Sequence, residues 1–333
     1  MEKLKKAGLI ILPTVLIIAS IMIGSYKMDP ILVIKSLVKI FVSSIEVDNN
    51  QAYELIKLVR GPRVLAGILV GAGLSTSGAV FQCIFKNPLS DSYTLGVSSG
   101  AGCGASIGIL IGLSSVGIQL TAILFSIIAI LVTFIISRGQ KNSKSTLILS
   151  GLLVSSFFSS MVSFIKFIAD PFDKLPQIIY WLMGSIASID IDKIIYIMPI
   201  FLLCMFGIYL YRWKINVISL DEELAESFGI DIKREKRIIL LFASILSAVV
   251  VSISGIIGWV GIVVPHFARM LVGSDFRKLL PTSISLGITY MLLTDIIARS
   301  IIPTEIPIGV ITGLVGLPLF VYFIYKKKVY FDN

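Results

Sequence analysis

Long apolar runs dominate the pattern of hydrophobic and polar positions along this chain. They recur from residue 8 to residue 325, and short polar or proline- and glycine-containing segments separate them. A helix of about 20 apolar residues crosses the hydrocarbon core of a bilayer. The pattern therefore predicts an all-α, polytopic membrane protein, with about ten transmembrane helices in a single domain over residues 1–333. The predicted spans are 8–25, 63–84, 94–113, 118–137, 145–166, 193–213, 237–257, 258–272, 282–301 and 307–325.

Composition agrees with this reading and adds an orientation. Hydrophobic residues make up 56% of the chain and charged residues 15%, and the mean hydropathy is +0.95. The chain has a net charge of +9, and its lysines and arginines recur in short predicted loops at 138–144, 212–237 and 326–328. Basic short loops stay in the cytoplasm, so both termini are predicted to be cytoplasmic. No basic stripe with interleaved aromatic residues is present, so the partner is the lipid bilayer and no nucleic acid is expected.

Few residues in the chain are suited to metal or acid–base chemistry. Cys83, Cys103 and Cys204 lie in apolar runs without a ligand spacing, and His266 is the only histidine. We expect neither a metal site nor a cofactor on this chain. An intramembrane enzyme using His266 or Asp295 is disfavoured, because no cysteine or carboxylate lies near the histidine in sequence.

Glycine repeats every four residues through the third span. Residues four apart share one helical face, so this span presents a smooth face on which a neighbouring helix can pack closely. A face that lines a substrate path is the alternative. The repeat consists of Gly96, Gly100, Gly104, Gly108 and Gly112.

Serine is concentrated in the fifth span. Hydroxyl groups in a membrane helix either join neighbouring helices or line a hydrated path, and the pattern alone leaves both open. The residues concerned are Ser155, Ser156, Ser159, Ser160 and Ser163, of which the first, third and fifth share a stripe.

The predicted inner loop 214–236 contains a short amphipathic helix. Ser219 and Glu222 fit a capping box, and Gly229 stands where a helix terminator belongs. Its polar face is acidic, whereas helices that lie on anionic lipid are basic. The loop is therefore predicted to face a protein partner.

Arginines cluster around the predicted outer ends of two spans. Arg60 and Arg63 precede the second span, at the end of a long outer segment at 26–62. Arg299 follows Asp295 by four residues, a spacing that favours an ion pair. On composition alone, an interfacial arginine that reaches toward water is the simpler interpretation.

Five stretches together resemble the FecCD-type permeases, the membrane subunits of ABC importers for ferric siderophores, haem and cobalamin. They occur in order and cover nearly the whole chain, so the resemblance is specific. The stretches are RGPRVLAGILVGAGLSTSGAVFQCIFKNPLSDSYTLGVSSGA at 60–101, WLMGS at 181–185, INVISLDEELAESFGIDI at 215–232, GIIGWVGIVVPHFARMLVGSDFRKLLP at 255–281 and DIIARSIIPTEIPIGVITGLVGLPLF at 295–320.

The resemblance implies partners and a role for each group of residues. A permease of this kind works as a homodimer or heterodimer in the cell membrane, with two cytoplasmic ATPase subunits and an extracytoplasmic substrate-binding protein. Arg60, Arg63 and Arg299 would receive glutamates of the binding protein, and the serines of the fifth span would line the translocation path. Contact with the ATPase would involve Asp221, Glu222, Glu223, Ala225, Phe228, Gly229, Asp275 and Arg277.

The expected cargo is a ferric siderophore or a related iron chelate, with haem and cobalamin as alternatives within the family. The chain has no G-x-x-x-x-G-K-[ST] motif, so it is expected to be a transport subunit whose partner hydrolyses ATP. An ion-coupled secondary transporter is the competing class. Such proteins usually carry acidic groups near the bilayer midplane, and here only Asp295 is a candidate.

Overall fold

Helices make up all the regular structure that the computed structural model describes, which covers residues 2–24, 26, 28–41, 50–137, 144–220, 226, 228–229, 231–302 and 304–326. A five-residue π-helical turn, Ile56–Arg60, leads into α4. The helices are α1 (Glu2–Met22), α2 (Pro30–Phe41), α3 (Asn50–Leu55), α4 (Gly61–Phe85), α5 (Val97–Leu110), α6 (Ser115–Ser137), α7 (Lys144–Ile168), α8 (Lys174–Met183), α9 (Ile191–Leu220), α10 (Ile232–Ser254), α11 (Val260–Val272), α12 (Phe276–Ala298) and α13 (Ile308–Lys326).

Six helices among the described residues are long and apolar enough to cross a membrane: α4, α6, α7, α9, α10 and α12. Four shorter apolar helices, all or most of α1, α5, α11 and α13, accompany them. Each predicted span overlaps one of these helices. The chain is therefore a multi-pass membrane protein, and the shortest of these ten apolar helices, α5 and α11, are 14 and 13 residues long.

Helix α4 is the centre of the bundle. Nearly all its side chains are buried, and it packs against α9, α10, α11 and α12. Small residues allow the closest approaches: a Cβ on Gly71 would lie 2.4 Å from the Gly287 carbonyl oxygen, and one on Gly78 would lie 2.0 Å from that of Gly261. Because glycine has no side chain, the helix backbones approach each other closely, which is how membrane helices gain van der Waals contact.

Three glycines of the repeat form a packing face, and the other two lie just beyond the ends of α5. Cβ atoms on Gly100, Gly104 and Gly108 would lie 2.2 to 2.8 Å from atoms of α6, so these three residues bring α5 against that helix. Gly96 and Gly112 differ from the expected continuous face. They stand just outside α5 with φ of +79° and +74°, where the left-handed backbone favours glycine.

A short break separates α10 from α11. Gly255 and Trp259 bound it, with φ of +66° and +71°. Cβ atoms on Gly184 and Gly309 would lie 2.4 and 2.9 Å from the carbonyl oxygen of Ile256 in this break. The end of α8, the break and the start of α13 therefore meet through their backbones.

One local prediction, the capping box at Ser219, is wrong. Helix α8 begins at Lys174 and ends at Met183. Pro176 lies in its first turn, where the missing N–H costs nothing, and so does not break it. Ser219 does not cap a new helix, because α9 continues through it and its hydroxyl donates to the Asn216 carbonyl at 2.8 Å.

Candidate functional site

Arg60 is buried and holds the end of α1. Its guanidinium donates to the carbonyl oxygens of Ile21 at 2.7 Å, Met22 at 3.1 Å and Tyr26 at 2.5 Å. The last carbonyls of a helix lack partners within the helix and carry partial negative charge. Arg60 therefore joins the start of α4 to the end of α1.

Arg63 lies between two carboxylates. Its Nε donates to Asp295 Oδ1 at 2.8 Å, and its Nη1 donates to both Glu305 oxygens, at 3.0 and 2.9 Å. The side chains of Arg63 and Asp295 are 6% and 0% exposed, whereas that of Glu305 is 29% exposed. Only the Glu305 side of this chain of ion pairs reaches the surface.

Arg299 is the third arginine of this cluster and pairs with the same aspartate as Arg63. Its Nε lies 3.3 Å from Asp295 Oδ2, the predicted pair between residues four apart, and its Nη2 donates to the carbonyl oxygen and hydroxyl of Ser20, both at 2.7 Å. Asp295 is thus held by two arginines, which offsets the cost of burying its charge. All three arginines predicted to dock a partner are buried and engaged within the chain, with exposures of 4% to 7%.

The serines of α7 lie on two sides of the helix. Ser155 is buried, and its hydroxyl donates to the Tyr93 carbonyl at 2.9 Å. Ser156, Ser159, Ser160 and Ser163 are exposed, beside exposed leucines and phenylalanines of the same helix. Ser160 and Ser163 donate to carbonyls four residues back, at 3.0 and 3.1 Å. Four of the five predicted path residues therefore face outward from this single chain, and Ser155 joins α7 to the loop before α5.

A cavity of about 490 Å³ lies beneath α8. Gln119 of α6 lines it, is 5% exposed, and its amide nitrogen has no hydrogen-bond partner among the described residues. Helix α7 contributes nothing to the lining, so the cavity is separate from the exposed serine face. It is lined by Ile109, Ser115, Ile118, Gln119, Pro176, Gln177, Tyr180, Trp181, Ser185, Ser188, Lys193, Ser252, Ile253, Ser254 and Gly255.

Most of the predicted ATPase-coupling helix lies outside the described residues. This applies to Asp221, Glu222, Glu223 and Ala225. Phe228 is 61% exposed, and Gly229 has a φ of +73° with nothing near its missing Cβ. Gly229 therefore has the left-handed backbone of a helix terminator.

The rest of the predicted coupling surface, Asp275 and Arg277, lies at the start of α12. Asp275 caps the first turn of α12, where its Oδ1 accepts from the Arg277 N–H at 3.1 Å and its carboxylate pairs with the Arg277 guanidinium at 3.2 Å. The Arg277 hydrogen bond holds the pKa of Asp275 below its usual value. Asn216, near the end of α9, donates to Asp275 at 3.3 Å and accepts from the Phe276 N–H at 3.2 Å. Asn216 thus ties the helix before loop 221–230 to the start of α12.

A second polar junction surrounds the proline of α11. Pro265 has no N–H, so the Gly261 carbonyl four residues earlier loses its helical donor. The amide of Gln82 on α4 supplies one, at 3.2 Å, and also donates to the Ile262 carbonyl at 3.0 Å. Arg269 in turn donates to Gln82 Oε1 at 3.1 Å. Pro265 lies inside α11, and the ring of His266 packs edge-on against that of Phe320, with 5.4 Å between the ring centroids.

Asp91 lies buried in the loop between α4 and α5. Its Oδ1 accepts from the Tyr93 N–H at 3.0 Å, and its Cβ is close to Gly261 of α11. Burial raises the pKa of this carboxyl from 3.8 to about 6, and the backbone hydrogen bonds offset only part of the rise. The loop therefore carries a group that titrates just below neutral pH.

Sequence reasoning did not identify Glu305, Asn216 or Gln82 as site residues. Their partners lie far away along the chain: 242 residues separate Arg63 from Glu305, and 59 separate Asn216 from Asp275. A signal was available for Gln82, because an amide in an apolar span requires a partner. No local signal marks the other two.

Comparison with known proteins identifies the class. The sequence model of the FecCD transport family matches residues 11–326, and the chain belongs to that family. It is 38% identical to the molybdate import system permease protein MolB of Haemophilus influenzae over 96% of this chain and 95% of the relative. It is 37% identical over 81% of its length to a Helicobacter pylori protein, of which 82% is covered, described as an iron chelatin transport system permease protein.

A solved structure has the same fold. It is described as an inward-facing conformation of a metal-chelate type ABC transporter and is 38% identical to this chain. The superposition has a TM-score of 0.85 and covers 96% of this chain and 98% of the other. The protein is therefore a multi-pass ABC transporter permease of the cell membrane, a transport subunit like its relatives.

Proposed function

We propose that this chain is the permease subunit of an ATP-driven importer that takes a ferric siderophore or related iron chelate from an external substrate-binding protein. Haem and cobalamin are alternatives within the family. The observation that carries the proposal is the match of nearly the whole chain both to the family and to a solved metal-chelate type transporter. In this arrangement the four short apolar helices and the six long ones form ten spans, and both termini lie in the cytoplasm.

Each group of residues has a place in the proposal. Two ATPase subunits contact the loop around Gly229 and the Asp275–Arg277 end of α12, and Asn216 passes their movement from one element to the other. The exposed serines of α7 face a second permease chain across the translocation path. The binding protein docks on the side of the membrane opposite the ATPase subunits, at the end of α12.

Molybdate, an oxyanion, is a second candidate cargo. It is favoured by the 38% identity to MolB, which spans nearly the full length of both chains. Serine hydroxyls can hydrogen-bond to either cargo, so the exposed serines of α7 do not distinguish a ferric siderophore from molybdate.

Uptake into proteoliposomes tests the cargo. The permease is reconstituted with its partner ATPase and binding protein, and ATP-driven uptake of a radiolabelled ferric siderophore is compared with that of radiolabelled molybdate. The proposal predicts accumulation of the iron chelate, which excess unlabelled molybdate does not reduce. Accumulation of molybdate alone would overturn the iron assignment while leaving the importer class intact.

A further inference from the structure

Glu305 stands at the exposed end of an otherwise buried chain of charges. Arg60 and Arg299 donate to backbone carbonyls of α1 and the segment after it, so their positive charges are used within the bundle. Arg63 differs, because one of its two carboxylate partners is partly exposed. Among the described residues of this cluster, Glu305 is the one through which an incoming group can reach Arg63.

The contact between Glu305 and Arg63 is not the strongest that an arginine can make. Both carboxylate oxygens share Nη1, instead of taking one nitrogen each in the parallel two-bond fork. Glu305 also holds a φ of +51°, a backbone conformation that is unfavourable for a residue with a Cβ. Asp295, in contrast, is fully buried and bonds Nε of the same arginine at 2.8 Å. Of the two carboxylates, Glu305 is the exchangeable one.

The turn that carries Glu305 offers a surface for a protein. Ile301 and Ile302 on it are 61% and 42% exposed, and Thr304 is exposed as well. An apolar projection beside a buried arginine suits a partner that brings a carboxylate surrounded by apolar surface.

We infer that Glu305 is a resident ligand of Arg63, which a carboxylate of the docking protein displaces while Asp295 keeps the arginine in place. This inference rests on the proposed function, because it takes the external binding protein as the partner. Docking then exchanges one ion pair for another, so Glu305 weakens association and limits it to partners that supply an acidic side chain at this position.

Substitution of Glu305 tests the exchange. Affinity for the partner binding protein is measured on the reconstituted permease–ATPase complex for Glu305→Gln and Arg63→Gln. Because a partly exposed ion pair no longer has to be broken, Glu305→Gln is expected to dock about fivefold more tightly. Arg63→Gln is expected to dock more weakly, and the double variant is expected to lose the gain of Glu305→Gln.

Asp173→Asn is the matched control. Its carboxylate is 62% exposed and pairs with Lys174, so this variant removes the same charge without touching Arg63. Unchanged or weaker docking of Glu305→Gln, with Arg63→Gln still impaired, would overturn the exchange and leave the proposed function standing. Wild-type docking of Arg63→Gln would overturn both the exchange and the proposed docking role of this arginine.

Discussion

At the scale of single residues, the properties that matter are space and charge at a few buried positions. Gly104 faces α6 so closely that a Cβ would lie 2.2 Å from the Thr121 carbonyl oxygen. Gly258 has nothing within 4 Å of its missing Cβ. The four-residue repeat in the sequence predicts the shared face of Gly100, Gly104 and Gly108, but it does not show where the helix ends.

Gly104→Ala is predicted to destabilise the protein by about 1–3 kcal/mol, because α5 and α6 must separate to admit a methyl group. The measurement is thermal unfolding of the purified protein in detergent. Gly258→Ala, which adds the same group where space is open, is expected to unfold near the wild-type temperature. Equal stability of the two variants would contradict the close packing of α5 on α6.

Asp91 is predicted to make stability depend on pH. Its folded pKa of about 6 exceeds the ordinary aspartate pKa of 3.8, so the folded state binds more protons than the unfolded state between these values. Stability contributed by this group is therefore highest below about pH 4 and falls as pH rises to about 6, by about 3 kcal/mol in total.

Unfolding temperatures between pH 4 and pH 8 test this for the wild type and Asp91→Asn. The asparagine oxygen can still accept from the Tyr93 N–H, so the variant keeps the turn but loses the titration. We expect it to be the more stable of the two at pH 7.5, with a flatter dependence on pH. Parallel pH curves for the two proteins would rule out a raised pKa at this position.

At the scale of elements, polar side chains connect helices at points where the backbone is interrupted. Gln82 satisfies the carbonyl that Pro265 leaves without a donor, and Asn216 fixes the first turn of α12 to the end of α9. Hydropathy located the apolar helices, because burial in lipid requires long apolar runs. It could not find these junctions, because their partners lie in other helices.

Gln82→Leu is predicted to cost about 1–3 kcal/mol, the penalty of leaving a buried carbonyl without a partner. In a Pro265→Ala background the helix regains its own N–H donor for Gly261, so the same substitution should cost less. Chemical denaturation of the four proteins in this double-mutant cycle measures the coupling. Fully additive effects would mean that Gln82 does not serve the carbonyl freed by the proline.

Gly229→Val is predicted to uncouple ATP hydrolysis from transport in the assembled importer. Gly229 has open space around it but a φ of +73°, so a β-branched residue strains the backbone by about 1 kcal/mol or more and shifts the loop. The ratio of ATP hydrolysed to cargo imported is the measurement. Gly112→Val imposes the same strain after α5, where φ is +74°, and should leave the ratio unchanged; a normal ratio for Gly229→Val would refute the coupling role.

At the scale of the whole molecule, the proposed importer assigns the exposed face of α7 to the second permease chain and the charge cluster at the end of α12 to the binding protein. The sequence pattern alone does not decide whether the serines join helices or line a translocation path. In the structure Ser155 is buried, whereas the other four serines are exposed. Cysteines at 83, 103 and 204 are buried, so a single introduced cysteine can be labelled cleanly. The sequence identified the arginines, but their internal partners depend on how α1, α4 and α12 pack.

Ser159→Cys is predicted to react with a water-soluble maleimide in the assembled importer, because the proposed function puts a hydrated path along this exposed face. Leu124→Cys, on the exposed face of α6, should not react, since thiols in lipid stay protonated and out of contact with the reagent. Mass spectrometry gives the labelled fraction of each variant. If only Leu124→Cys is labelled, the hydrated path does not run along the exposed serines of α7.

This permease is proposed to import its cargo with energy from ATP hydrolysed by partner subunits. The most direct measurement is cargo uptake into proteoliposomes that contain the permease, its ATPase and its binding protein. We expect uptake to require ATP and both partners and to be unaffected by a protonophore. Uptake that proceeds without ATP and collapses when the proton gradient is dissipated would contradict the claim.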